Sequence, residues 1–411
     1  MSFNRQVGRV IEEGINLSSA EFKENSYKIY KNSRESQPVL FVYKGELGTE
    51  WLITRYEDAK LLLKDQRLKK NPSNVFPKGK EPKLFTGANI DALTPFMFQT
   101  DAPDHNRLRS SAQKPFSFNR IIQLEEKIKQ IANDLLDEIE LKGTLNLIED
   151  YARPLPIFVI GEVLGVPRED REKFREWADL ILESQTSDTK ILNKEKKLSE
   201  FMTYLQKLIE LKRIQPENDL ISHLMSKENE ERKLSSRELY SMITLVMLAG
   251  YKPTVHLITN TVLALLENPE QLEKLITNPD LIDSTIEEGL RYYPAAETTT
   301  PRWAVEPFEI HGQKIKVGDQ ITISIASANR DETVFENPEV FDITRENNKH
   351  ISFGMGSHAC LGPILARLEG KIGIAILLNR MPTIKLKGKR EDLKWQPSYA
   401  LRYLKELPLT Y

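Results

Sequence analysis

The stretch HISFGMGSHACLGPILARLEGKIGIAILLNRM, residues 350–381, contains the one cysteine of the chain and governs the interpretation of the rest. Cys360 follows a glycine-rich turn and precedes Gly362 and Pro363, after which apolar residues recur at helical spacing. The sequence therefore predicts that Cys360 lies at the start of a helix, where the helix dipole and free backbone amides stabilise a thiolate. Such a cysteine is a candidate metal ligand, although a lone cysteine is more commonly buried and inert.

Two other roles for Cys360 find no support in the sequence. A structural zinc site needs further Cys or His ligands, and the chain has no second cysteine and no nearby His-x-x-His cluster. A nucleophilic cysteine needs an activating base, which the sequence does not identify. On these residues alone, the choice between a metal ligand and an inert side chain stays open.

Length and composition indicate a globular chain. The 411 residues are 40% apolar and 29% charged, and Lys and Arg (58) nearly balance Asp and Glu (60). The formal net charge of -2 gives no general attraction for nucleic acid or an anionic membrane. The N-terminal stretch MSFNRQVGRVIEEGINL has charges every few residues and so lacks the apolar core of a signal peptide or membrane anchor. We expect a cytoplasmic protein without a nucleic-acid or membrane partner, and the single cysteine also fits a reducing compartment.

Hydrophobic periodicity predicts a mainly α-helical chain with small β-sheets at its two ends. Because apolar residues recur there at steps of three or four, helices are predicted at 121–139, 168–182, 198–213, 268–278 and 282–292. Strands are predicted at 38–43, 50–56, 309–326, 382–388 and 397–411. No repeat and no Gly/Ser or Pro linker divides the chain, so we expect one domain over residues 1–411.

A long buried helix is predicted over Ser236–Glu267. Ser235 and Glu238 have the spacing of a capping box, and nearly continuous apolar residues follow. Pro253 lies inside this helix and must bend it or open it locally, because proline has no amide hydrogen and its ring crowds the preceding turn. Gly250 lets another group approach the backbone closely. On the helix alone, packing is the simplest explanation of the bend.

The residues around the cysteine resemble a known signature. Phe353-Gly354-x-Gly356-x-His358-x-Cys360-x-Gly362 matches the haem-binding motif of the cytochromes P450, and the chain resembles this family over essentially its whole length. The resemblance implies the cytochrome P450 fold and haem b with Cys360 as its axial thiolate ligand. The stretches DAPDHNRLR, SANRDETVFENPEVFDITR and ARLEG are especially similar to bacterial members that tailor polyketides, macrolides and related metabolites.

The resemblance also assigns roles outside the signature. Glu288 and Arg291 in EEGLRYYP match the family's Glu-x-x-Arg, and Arg345 matches its third partner, which implies a buried cluster beneath the haem. Cationic and hydrogen-bonding side chains offset buried carboxylates, so such residues are implied to contact the haem propionates. They are His105, Arg109, Arg302, His350 and His358, beside which Phe353 and Gly362 belong to the cofactor-binding motif.

The central helix departs from the family pattern. In the family it passes over the distal face of the haem and usually reads Ala-Gly-x-Asp/Glu-Thr-Thr, whose acid and alcohol help deliver protons during oxygen activation. Here the candidate catalytic stretch is Ala249-Gly250-Tyr251-Lys252-Pro253-Thr254, so Lys252 replaces the acid and Pro253 the first threonine. Proline has no proton to give, although it preserves the bend. Thr254 lies about 100° farther around the helix, so we do not expect it to replace the alcohol directly.

Three explanations of this departure compete. In the first, substrate hydroxyls and ordered waters carry the proton, and the protein is an oxygen-activating monooxygenase. In the second, peroxide supplies both oxygen atoms and both protons. In the third, the chain is a haem-thiolate binding or sensing protein without turnover. We favour them in that order, and we expect the Lys252 ammonium to reach solvent or a carboxylate rather than the haem.

The resemblance places a substrate pocket among several segments. They are 84–98, 179–188, the central helix, 295–300 and 398–401, and the pocket residues implied are Phe98, Leu245, Leu248, Glu297 and Thr298. The polar stretch AAETTT within it favours an oxygenated natural product over a plain hydrocarbon.

Electrons must come from separate proteins if dioxygen is used, because the haem domain occupies the whole chain and leaves no flavin or iron-sulfur segment. The expected partners are a ferredoxin or flavodoxin with its reductase. Basic residues near the proximal face, namely Lys114, Arg120 and Arg367, are candidates to guide such an acidic partner.

Overall fold

The protein is seen in a computed structural model that describes residues 10–82, 93–182, 188–226 and 234–411. Helices dominate these residues, as hydrophobic periodicity predicts. The α-helices of the described chain are α1 Ala20–Ser36, α2 Tyr56–Leu62, α3 Asp104–Gln113, α4 Phe118–Ile121, α5 Glu125–Asp137, α6 Pro154–Leu164, α7 Arg171–Leu182, α8 Asp188–Ile214, α9 Leu220–Leu224, α10 Ser236–Glu267, α11 Pro269–Thr277, α12 Ile282–Tyr292, α13 Ile325–Ala328 and α14 Pro363–Arg380.

The predicted helices are present with shifted ends. The segment predicted at 121–139 enters α5 through a 3-10 turn, and α7 likewise begins three residues after the predicted start. The helix predicted at 198–213 is longer, because α8 begins at residue 188. Charged residues interrupt the apolar pattern between 188 and 197, so periodicity alone could not find this first part.

The strands are short and form mixed sheets. In the described chain they are β1 Val10–Glu13, β2 Val39–Gly45, β3 Gly48–Ile53, β4 Leu68–Lys69, β5 Thr144–Asn146, β6 Arg302–Ala304, β7 Phe308–Ile310, β8 Gln313–Ile315, β9 Gln320–Ile323, β10 Lys385–Leu386 and β11 Pro408–Thr410. The largest sheet has the order β1-β2-β3-β9-β6-β4, and its β3–β9 pair is parallel. The small sheets predicted near the ends are present, and strands from distant parts of the chain share the largest one, a pairing that leaves no local pattern in the sequence.

The C-terminal strand is also shorter than predicted. Of the stretch 397–411, only β11 is a regular strand, which pairs with β5 and β10. The preceding residues form isolated bridges at Leu401 and Leu404. This irregular segment instead turns towards the cavity described below.

Helix α10 crosses the centre of the fold and has the predicted bounds, 32 residues long. Ser235 accepts the amide of Glu238, and the Glu238 carboxylate accepts the amide of Ser235, which completes the capping box. The helix is long and apolar enough to span a membrane. However, 78% of its apolar 18-residue stretch is buried inside the protein, as expected of a core helix. It packs against α6, α12 and α14.

Gly250 explains how closely α10 approaches α6. A Cβ atom at this position would overlap the side chain of Ile160 on α6. The glycine thus allows two helices to pack at short distance. Gly250 also lies on the cavity wall, so the same close contact fixes the position of that wall.

The predicted acid and arginine cluster is assembled at the end of α12. Glu288 and Arg291 are fully buried and form a bidentate pair, and Arg345 donates to the same carboxylate at 3.1 Å. Arg291 also donates to the carbonyl oxygens of Asn329 and Pro338. The cluster therefore connects α12 to the segment that precedes the cysteine loop.

Candidate cofactor and substrate site

Cys360 lies in a tight loop immediately before α14, as the sequence predicts. Its amide donates to the carbonyl oxygen of Phe353 at 2.8 Å. Gly354 and Gly356 have φ values of 69° and 76°, a region that favours glycine. Arg109, on α3, donates to the carbonyl oxygen of Ala359 at 2.7 Å. These contacts aim the thiol at the cavity between the loop and α10.

The thiol lies deep in the protein yet is accessible from the cavity. Burial raises the pKa of Cys360, while the amide of Gly362 and the charges of Arg109 and Arg367 act to lower it. Without a ligand the thiol therefore favours its protonated form. Coordination to a metal cation would reverse this preference, because the metal stabilises the thiolate.

The cavity has a volume of about 400 Å³ and mostly apolar walls. Helix α10 forms one side with Leu245, Ala249, Gly250, Pro253 and Thr254. The opposite side is the cysteine loop and the first turns of α14, and the segments 295–302 and 400–401 complete the wall. This lining suits a large and mostly apolar ligand bound next to Cys360.

One end of the cavity is strongly polar. The five side chains that give it this character are His105, Arg109, Arg302, His358 and Lys70. The rings of His105 and His358 lie 4.0 Å apart, and Arg302 Nη1 and His358 Nδ1 are buried without a hydrogen-bond partner. Among the described residues, none of the five forms an ion pair with a carboxylate. This end therefore fits a ligand with carboxylates, such as the propionates of haem.

Lys70 was missed by sequence reasoning. It follows the short strand β4, and the surrounding stretch, QRLKKNPSN, reads as an exposed charged loop. The side chain is nevertheless only 3% exposed. No local pattern separates it from the adjacent Lys69, since its burial depends on the distant residues 300–302.

His350 does not belong to this end, which corrects its predicted role. Its Nε2 lies 3.1 Å from a carboxylate oxygen of Glu287, and it does not line the cavity. Burial raises the pKa of Glu287, but Arg367 and His350 more than offset this and lower the pKa to about 2. The strongly acidic carboxylate thus draws the imidazole towards α12 and away from the cavity.

The part of α10 around Pro253 presents no free proton donor to the cavity. Pro253 has no amide hydrogen. Thr254 lines the cavity despite its position around the helix, but its hydroxyl donates to the carbonyl oxygen of Gly250 at 2.9 Å. Ala249 and Gly250 supply only backbone and a methyl group. These residues thus form part of the cavity wall, while the hydroxyl proton of Thr254 is engaged in a hydrogen bond within the helix.

Lys252 points away from the cavity. Its Nζ lies 3.5 Å from Asp179 on α7, whose carboxylate also accepts the hydroxyl of Tyr251 at 2.9 Å and pairs with Arg153 at 2.6 Å. Burial lowers the pKa of Lys252, and Asp179 acts to raise it. The ammonium therefore reaches a carboxylate, as expected. Its grouping with the residues that face the cofactor is not supported by the structure.

The predicted pocket residues divide into two groups. Phe98, Leu245 and Thr298 line the cavity, although the Thr298 hydroxyl donates to the carbonyl oxygen of Tyr399. Leu248 is buried in the core on another face of α10 and does not line the cavity, because one helical step turns its side chain away. Of the segments predicted to border the pocket, residues 84–92 and 183–187 lie outside the described residues.

Glu297 faces away from the pocket. It is fully buried, accepts from Lys23 at 2.5 Å and from the Tyr30 hydroxyl at 3.0 Å, and lies 3.7 Å from Arg402. Burial raises the pKa of Glu297, but Lys23 and Arg402 more than offset this and the pKa is lowered overall. The carboxylate therefore anchors the back of the cavity wall to α1.

Glu369, on α14, is a second residue that sequence reasoning missed. It lines the cavity and is fully buried, and within the described part of the chain neither carboxylate oxygen has a hydrogen-bond partner. Burial raises the pKa of Glu369 well above its ordinary value and so favours the uncharged carboxyl. A signal was present, because Glu369 lies four residues after Leu365 and three before Ile372, on the buried face of the helix.

The proposed proximal basic residues have other contacts. Arg367 forms a bidentate pair with Glu287 and stacks over Phe353 at 4.5 Å. Arg120 donates to the side chain of Asn218. Their role towards an electron donor stays a prediction.

Known proteins share this sequence and architecture. A sequence model of the family described as Cytochrome P450 matches residues 163–398. The chain is 50% identical over 396 residues to a cytochrome P450 of Bacillus subtilis (strain 168), covering 96% of each chain. It is 41% identical over 393 residues to the polyketide biosynthesis cytochrome P450 PksS of the same organism, covering 95% of this chain and 96% of PksS. The structure of PksS, the bacillaene polyketide synthase cytochrome P450, is similar with a TM-score of 0.88, covering 97% of this chain and 99% of the other, at 39% identity.

The location of Glu297 predicts an order of stability among variants. Glu297→Gln leaves Lys23 and Arg402 as two buried cations without a counter-ion, and we expect it to lower the free energy of unfolding by about 3–5 kcal/mol. Lys23→Met should be less damaging, because Glu297 keeps Arg402. Urea unfolding followed by circular dichroism measures both, with the exposed Glu21→Gln on α1 as control. A Glu297→Gln variant with native stability would contradict this location.

Proposed function

The chain belongs to the cytochrome P450 family, and from this premise we propose that it oxidises a polyketide- or macrolide-like secondary metabolite with protons delivered through the substrate. It is an enzyme of the P450 monooxygenase class, and its cofactor is haem with Cys360 as the axial thiolate. When bound, haem supplies the activation of dioxygen and the transfer of one oxygen atom. His105, Arg109, Arg302 and His358 are the residues that would hold its propionates.

One observation carries the proposal about protons. The wall of α10 that faces the cavity has no acid and no free hydroxyl, since Lys252 pairs with Asp179 and the Thr254 proton is held by Gly250. General acid catalysis needs a donor within hydrogen-bond reach of the accepting atom. A hydroxyl of the substrate and the waters it orders supply that donor. Turnover then depends on a substrate that carries such a group in the right place.

Glu369 stands outside this relay. It lies on α14, on the cysteine side of the cavity, whereas the substrate is expected on the side of α10. A haem bound at Cys360 would separate the two sides, so the carboxyl of Glu369 would be out of hydrogen-bond reach of the water next to the substrate. The proton donor must therefore come with the substrate.

The substrate class follows from the walls. They are mostly apolar, while the polar residues Thr298, Thr299 and Thr300 lie along one segment of the lining. A large apolar skeleton with a few oxygen atoms fits such a mixed lining. The similarity to PksS, a protein named for polyketide biosynthesis, points to the same class of metabolite. We place the enzyme in the cytoplasm as one haem domain, reduced by a ferredoxin or flavodoxin with its reductase.

Peroxide use is the second candidate function. The specific observation in its favour is Pro253, which removes the hydroxyl at the usual position for proton delivery. Peroxide brings both oxygen atoms and both protons, so it needs no relay from α10. The two functions differ in whether redox partners are required.

The proposal is tested by the mass of the product. Haem-loaded protein is incubated with metabolite extract from a strain that lacks it, once with NADPH and redox partners and once with peroxide alone. We expect one metabolite to gain one oxygen only with the redox partners. A gain with peroxide alone would favour the second function, and no change in either arm despite substrate binding would contradict both.

Glu369→Gln tests whether the protein supplies the proton from another wall. The amide keeps the shape of the carboxyl but has no acidic proton, so we expect product per NADPH to stay at the native level when the substrate supplies the proton. The absorbance of the reduced carbon monoxide complex should stay native, and the exposed Glu273→Gln on α11 serves as control. A large fall in product per NADPH in Glu369→Gln, with a native haem spectrum, would contradict delivery through the substrate.

A further inference from the structure

Lys70 is a buried cation that has no carboxylate partner among the described residues. Its side chain is 3% exposed, and Nζ donates to the carbonyl oxygens of Thr300 and Pro301 at 2.9 and 3.1 Å and to the Thr300 hydroxyl. All three acceptors are neutral. No carboxylate of the described residues lies within ion-pair distance. Burial lowers the pKa of Lys70 well below its ordinary value, with a further contribution from Arg302. A charged ammonium here requires an anion from outside the protein chain.

Arg302, next to Lys70, is a second buried cation without a carboxylate partner among the described residues. Its side chain is 5% exposed, Nη1 has no hydrogen-bond partner, and burial lowers its pKa to about 10. The carboxylate of Asp101 acts on both cations, but its oxygens bond the amides of Lys70 and Asn71 and the side chain of Asn74. Two buried cations therefore meet at the cavity with less negative charge than they need.

A further cation, Arg109, lines this polar end from α3, and His105 lies on the same helix. Haem carries two carboxylates, so the cations of α3 and the pair Lys70 and Arg302 can serve one carboxylate each. We propose that Lys70 and Arg302 together bind one carboxylate of the haem. Lys70 supplies the second positive charge and holds the backbone of residues 300–301 from which Arg302 projects. The inference concerns the cofactor and does not depend on which metabolite is oxidised.

Lys70→Gln separates the charge from the backbone contact, because the amide keeps a neutral donor for the Thr300 carbonyl. We expect haem to transfer to excess apomyoglobin about 10- to 100-fold faster, as for the loss of a hydrogen bond between charged groups. The reduction potential of the haem iron should become more negative, since one positive charge that stabilises the added electron is gone. Lys70→Arg should stay close to native in both measurements.

Lys69→Met is the matched control, because it removes the same charge from the neighbouring residue, which does not line the cavity. If Lys70→Gln behaves like this control in haem loss and potential, the proposal is wrong. It is also wrong if only the binding of myristic acid weakens while that of its methyl ester does not, because the cation then serves a carboxylate of the substrate.

A measurement on the native chain covers the case in which Lys70→Gln does not fold. Acetic anhydride labelling of Lys70, followed by mass spectrometry, is compared in the apo-protein and in protein loaded with haem or with haem dimethyl ester. The proposal predicts stronger protection by haem than by the ester, which has the same ring without free carboxylates. Equal protection by the two would overturn it.

Discussion

Cys360 and a group of buried cations share one cavity, and their charges are balanced only by a ligand that brings both a metal cation and carboxylates. The thiol favours its protonated form by itself, and Lys70 and Arg302 have no carboxylate partner among the described residues. Haem would relieve both conditions, because its iron would stabilise the thiolate and its propionates would offset the charges of the cations. Helix α10 forms one side of the cavity and α14 the other. The fold thus keeps the thiol and the cations on the wall of one cavity.

The sequence predicted the parts of the site that depend on local pattern. Cys360 precedes a helix because Gly362 and Pro363 begin it, and α10 has its predicted ends because the Ser235 capping box and the apolar run mark them. The resemblance brought in residues that no pattern would have joined, and the structure places Glu288, Arg291 and Arg345 in one cluster. A stability prediction such as that for Glu297→Gln could only follow once the partners were known.

What escaped prediction depends on distant partners. Glu297 was expected in the pocket because its neighbours line it, but Lys23, 274 positions earlier in the chain, draws it to the other side. His350 is turned by Glu287, and Lys70 is buried by residues 230 positions away. In the sequence, each of these residues resembles an adjacent residue whose side chain points elsewhere in the structure. Polar contacts with remote segments determine where these side chains point. Local periodicity in the sequence does not predict such contacts.

The central claim is that protons reach the oxygen site through the substrate because α10 supplies none. The measurement that tests it is product formed per NADPH consumed, for the native protein and for Lys252→Glu/Pro253→Thr, on the identified substrate and on an analogue lacking the hydroxyl nearest the oxidised carbon. The account predicts that the native protein loses this yield on the analogue and that the variant regains it. Full yield from the native protein on the analogue would contradict the account.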